Sequence, residues 1–109
     1  MARKNLFTEG ERVGVSLATL WDTLKESVNG RRTRCGDLLV HTEDDTGSDW
    51  FDLYADGCDR DFDGPVCCDG ETCVVEHVCP FGTVYLRNLE SDQVFVLSAS
   101  EAATACFAA

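Results

Sequence analysis

The sequence predicts an α+β domain: an antiparallel sheet of about five strands with an N-terminal amphipathic helix and a short C-terminal helix. Three observations carry this. An early stretch repeats apolar residues at helical spacing. From residue 38 onward, short apolar and aromatic runs alternate with breaks rich in Gly, Pro and Asp. A serine then opens an alanine-rich tail. Folding a chain of 109 residues buries roughly two thirds of its unfolded surface, which suits one core and one domain over 1–109.

Taken in order, Val13, Leu17, Leu20, Trp21, Leu24 and Val28 fall at intervals that place them on one helical face. Thr8 with Glu11 has capping-box spacing, and Gly30 supplies a stop. Gly10 and Gly14 each cost about 1 kcal/mol relative to alanine inside a helix, which moves its expected start toward Ser16. Leu38–Thr42 and Trp50–Tyr54 then read as two strands joined by a polar loop containing Gly47. A three-stranded meander follows. Cys73–Val78 turns through Cys79-Pro80-Phe81-Gly82 into Thr83–Arg87, and Glu90-Ser91-Asp92 leads into Val94–Leu97. Ser98 and Glu101 form a second capping box, opening a terminal helix through Phe107.

Charge is distributed unevenly along this framework. The net charge is -11, yet residues 1–34 carry seven basic and four acidic side chains, while residues 43–71 carry eleven acidic side chains against Arg60 alone. So acidic a chain is repelled by DNA, RNA and anionic membranes, and its natural partner is cationic. No run approaches the length of a membrane span, and no apolar stretch follows the basic start, so the chain reads as cytoplasmic. Seven cysteines, an odd number, are expected to stay mostly as thiols in that compartment. The basic cluster Arg31-Arg32-Thr33-Arg34 follows the predicted helix, where positive charge complements the helix dipole.

The acidic segment, 43–71, lies between strands and supplies the candidate partner-binding residues Asp44, Asp45, Asp49, Asp52, Asp56, Asp59, Asp61, Asp63, Asp69 and Glu71. Nearly all are aspartate, whose short side chain fixes its charge near the backbone. In extended chain, Asp59, Asp61 and Asp63 project from one side about 6.6 Å apart, twice the rise per residue. A row of carboxylates can occupy a Lys/Arg surface evolved for phosphates and reach it quickly by electrostatic steering. Trp50, Phe51, Tyr54 and Phe62 could add apolar anchors, or belong to the core. Alternatively the segment is a solvated acidic surface that keeps the protein soluble.

In its size, its acidity concentrated at Asp44 to Glu71 and its α+β layout, the chain resembles the small acidic inhibitors made by phages and mobile elements, including anti-CRISPR and anti-restriction proteins. The resemblance implies a non-enzymatic inhibitor acting in the host cytoplasm. Such a protein mimics DNA to bind the basic surface of a nucleic-acid-processing protein, without touching nucleic acid or membrane itself.

Two metal readings compete for the same residues. Asp59-Arg60-Asp61-Phe62-Asp63-Gly64 spells the opening of an EF-hand calcium loop, making Asp59, Asp61 and Asp63 candidate ligands; the match breaks where Gly70 stands for the bidentate glutamate. Five cysteines between 58 and 79, with His77, offer zinc donors, but no C-x-x-C knuckle occurs. No cofactor is therefore expected. His41 and His77 sit in predicted strands without a catalytic motif around them, and no phosphate-cradling loop or nucleophile elbow occurs, so no enzyme activity is expected either.

Overall fold

The computed structural model describes residues 6–24, 30–57 and 64–109. The elements run β1 (Arg12–Val15), α1 (Leu17–Thr23), β2 (Arg31–Arg32), β3 (Leu38–Glu43), β4 (Asp49–Tyr54), β5 (Cys67–Cys68), β6 (Thr72–Val78), β7 (Val84–Asn88), β8 (Val94–Leu97), α2 (Ala99–Ala105) and β9 (Cys106–Ala108). They form an α+β architecture with two antiparallel sheets rather than one. The first has the order β8-β7-β6-β1-β9 and the second β2-β3-β4-β5. The β3–β4 hairpin and the β6–β7–β8 meander occupy the segments their apolar and aromatic runs predict.

Three expectations need correction. Residues 12–15 form a strand, although Val13 falls at the spacing of the helical face whose start the glycines set near Ser16. Val13 and Val15 are β-branched, and Gly10 takes φ +86°, so the local chain favours extended backbone that β6 and β9 then pair on both sides. The Thr8/Glu11 pair accordingly closes a turn ahead of β1, with the Thr8 amide donating to Glu11 Oε1 at 2.9 Å. Helix α1 begins after Ser16, whose hydroxyl accepts from the Thr19 amide, and ends at Thr23; the expected stop at Val28–Gly30 falls largely outside the described residues. Finally, the tail leaves the helix at Ala105. Cys106–Ala108 are drawn into the open edge of β1, with Val15 opposite Cys106 and Gly14 opposite Phe107. A Cβ on Gly14 would lie 2.3 Å from the Phe107 ring, so only glycine lets that ring cross the strand.

One hydrophobic cluster draws on both sheets and both helices. It includes Val13, Val15, Leu17, Leu20, Leu39, Leu53, Val75, Leu86, Phe95, Leu97, Ala102 and Ala105. Two buried carboxylates tie the segments together. Asp37 accepts from the Asp56 amide at 3.0 Å and from the Val96 amide at 3.2 Å, joining the end of β4 to the edge strand β8. Glu101 accepts from the Ser98 amide at 2.8 Å, completing the predicted capping box, and its second oxygen takes the Arg34 amide at 2.7 Å. Each thus satisfies backbone donors that burial would otherwise leave unpaired. Burial, the larger influence, pushes the Asp37 carboxyl above its usual range against the lowering effect of these bonds. Among the described residues, no helix is long and apolar enough to cross a membrane.

Candidate partner-binding site

The β3–β4 hairpin carries the exposed part of the acidic segment. Its turn is built on Asp44. Asp44 Oδ1 accepts from the Thr46 amide (2.9 Å), the Thr46 hydroxyl (2.6 Å) and the Ser48 amide (2.9 Å), while Oδ2 accepts from the Trp50 indole (3.1 Å). Gly47, at φ +85°, supplies the left-handed residue that brings the chain round. The hydroxyl of Thr46 first, then the Ser48 amide and the Trp50 indole, hold the Asp44 carboxyl down to about 2, so it is ionised throughout the physiological range.

Glu43, Asp45 and Asp49 surround this turn and all are exposed. The strand register sets Glu43 directly opposite Asp49. Like charges on one rung destabilise an antiparallel pair, by about 0.2–1 kcal/mol. Asp49 leans back to His41, with Oδ1 2.9 Å from Nε2. His41 in turn stacks on Phe51 at 4.8 Å between ring centroids, and both rings meet Trp21, over which the Arg31 guanidinium sits at 3.9 Å. The base of the hairpin is therefore a packed aromatic cluster. Its tip carries Glu43, Asp44, Asp45 and Asp49 beside Trp50, whose surface is 54% exposed.

The other predicted residues divide by structural role. Asp56 is exposed at the far end of β4, 3.6 Å from Arg32. Asp52 is half-buried opposite Cys68. Burial first, and the neighbouring Asp52 second, push the Cys68 thiol up to about 12. Asp69 and Glu71 are held by the fold itself. Asp69 accepts from the Leu17 and Ala18 amides at 2.6 and 3.2 Å, supplementing Ser16 at the start of α1. Glu71 accepts from the Cys68 amide at 2.6 Å and the Asn88 side chain at 3.0 Å. Asp59, Asp61 and Asp63, the row of the extended-chain and calcium readings, lie outside the described residues.

Among the described residues the acidic segment thus does not present one continuous line. Asp44, Asp45 and Asp49 come together with Glu43 and Trp50, while Asp69 and Glu71 serve other contacts. Sequence reasoning missed the part played by Asp37 and Glu101 in joining distant segments, although the Ser98/Glu101 spacing marks one of them. His77, on the opposite sheet, bonds Glu9 Oε1 at 2.9 Å. Among the described residues, no three or more His, Cys, Asp or Glu side chains converge as a metal set. No protein-family model, curated protein or solved structure matches the chain.

Proposed function

We propose that the protein is a non-enzymatic inhibitor or regulator that docks the tip of its β3–β4 hairpin on a basic surface of a nucleic-acid-processing protein. The observation that carries this reading is the Glu43–Asp49 rung. The chain places like charges face to face on an exposed ladder, adds Asp45 between them, and fixes the turn with a fourth carboxylate. Local rules broken at a stability cost mark functional sites, and a cationic partner would relieve this one. Trp50, held by Asp44 beside the carboxylates, gives the interface the aromatic anchor that acidic residues lack. The tip then engages Lys/Arg groups that otherwise bind phosphate, and long-range attraction speeds the encounter.

The test is capture of partners from host lysate on immobilised protein at low and then high salt, followed by competition with duplex DNA. A basic nucleic-acid-binding protein should be retained, released by salt and displaced by DNA. The paired change Asp45→Asn with Asp49→Asn should reduce the salt dependence of binding, since fewer screened charge contacts remain, and Trp50→Ala should weaken binding at every salt concentration. Unaltered affinity and salt dependence in both variants would place the contact elsewhere.

A further inference from the structure

We propose that the cleft between the start of α1 and the end of α2 is a binding site for a primary alkylammonium ion. The cleft encloses about 310 Å3, and its lining includes Ser16, Thr19, Asp69, Thr104, Ala105 and Phe107. Main-chain bonds fix its walls. The Gly70 amide donates to the Val15 carbonyl at 2.7 Å, pinning the β5–β6 turn that carries Asp69, and the Ser16 amide donates to the Ala105 carbonyl at 2.8 Å, pinning the last turn of α2. A cleft formed in advance spares its ligand the cost of ordering it. About 150 Å3 is enough to admit benzene, so an amine on a four-carbon stem fits. The cleft shares no residue with the tip of the β3–β4 hairpin, so this site and the hairpin's partner stand or fall separately.

The polar lining selects a cation. Asp69 Oδ1 is taken by the Leu17 and Ala18 amides, but among the described residues Oδ2 has no hydrogen-bond partner, and neither has the Thr104 hydroxyl. The donors that would hold an anion at this end of α1 are already engaged, the Leu17 and Ala18 amides by Asp69 and the Thr19 amide by Ser16 Oγ at 3.3 Å. The Ser16 and Thr19 hydroxyls bond each other at 2.7 Å. When Ser16 donates, the Thr19 oxygen keeps a lone pair for a further donor. What the cleft offers is therefore one charged acceptor and two hydroxyl oxygens, which matches the three N–H donors of an ammonium group.

The Phe107 ring and the Ala105 methyl supply the apolar surface on which an aliphatic stem rests. A bound metal ion is the weaker fit. Calcium takes six to eight oxygens, commonly from several carboxylates, whereas Asp69 is the sole carboxylate in this lining, and among the described residues no metal-holding set converges. The net charge of -11 raises the local concentration of cations around the whole chain and so favours occupancy. Primary ammonium groups on short aliphatic stems occur both in free diamines and in lysine side chains.

The test is a nitrogen-15 NMR titration of the full chain, at fixed ionic strength, with n-butylammonium chloride and with n-butanol. The ammonium should give saturable shifts centred on Ser16, Thr19, Gly70, Thr104 and Phe107, and the alcohol, which lacks the charge, should bind more weakly. Asp69→Asn keeps an acceptor for the two amides and removes the charge; it should weaken the ammonium about three- to tenfold and leave the alcohol unchanged. Titration with 1,4-diaminobutane and with Nα-acetyl-lysine methylamide then separates the two sources, the tighter binder naming the one the site takes. Shifts spread over the hairpin carboxylates without saturation, equal affinity for the alcohol and the ammonium, or an unchanged ammonium affinity in a folded Asp69→Asn protein would each overturn the assignment. Should that variant not fold, the comparison of ammonium with alcohol on the unaltered chain decides.

Discussion

Asp69 belongs to the acidic segment by sequence and to the start of α1 by its contacts. Its Oδ1 holds the first two amides of α1, and Leu17 behind them is fully buried. Asp69→Ala leaves those amides without that acceptor. Loss of a capping acceptor costs about 1–2 kcal/mol, with the charged oxygen toward the upper end and its exposure toward the lower. A chain of 109 residues has an unfolding entropy of about 0.23 kcal/mol/K at roughly 2.1 cal/mol/K per residue, so the melting temperature should fall by about 4–9 °C. Asp69→Asn removes the same charge while keeping an acceptor oxygen, and should lose less than half as much. The assay is thermal denaturation of both variants followed by circular dichroism, with partner binding measured alongside. If Asp69→Asn abolished binding while Asp69→Ala left stability untouched, the capping argument would be wrong and Asp69 would belong to the interface.

Other outcomes follow from the same contacts. In a carbon-13 NMR titration, Asp44 should titrate near 2 and Asp37 above 3.8, the two moving in opposite directions from the ordinary value. The signs for stability differ accordingly. Asp44 favours the fold above about 3.8, and its help is lost as pH falls through 2; Asp37 favours the fold when protonated, an effect lost as pH rises through its raised folded value. Gly14→Ala should destabilise by more than about 1 kcal/mol in denaturant melts, since its Cβ meets the Phe107 ring and that ring must move; rescue by Phe107→Ala would identify the clash as the cause.

The parts of the fold legible in sequence are those with enough residues to show a period. Leu38–Glu43, Asp49–Tyr54 and the meander from Thr72 each contain an apolar or aromatic run of several residues, and turns between them carry Gly47 or Pro80. Two-residue strands such as β2 and β5 have no period to read. β1 was hidden because Val13, sharing the face of Leu17 and Leu20 at helical spacing, also satisfies a strand pattern, and only its pairing with β6 and β9 decides between them. In the site, total acidity was visible but its division was not. Asp69 and Asp45 look alike in sequence, and what distinguishes them is a helix terminus 52 residues away in the chain.

The position of β1 between β6 and β9 also shapes how the protein is made. Its second neighbour, Cys106–Ala108, lies about 90 residues downstream. At roughly 5–20 residues per second, a ribosome needs about 5–18 s to reach it. Throughout that interval Val13 and Val15 wait with an unpaired edge, first without β6 and then without β9. Completion of the larger sheet therefore waits until Cys106–Ala108 has been made, and a nascent chain stalled before Cys106 would present that edge to chaperones or to its neighbours on the polysome.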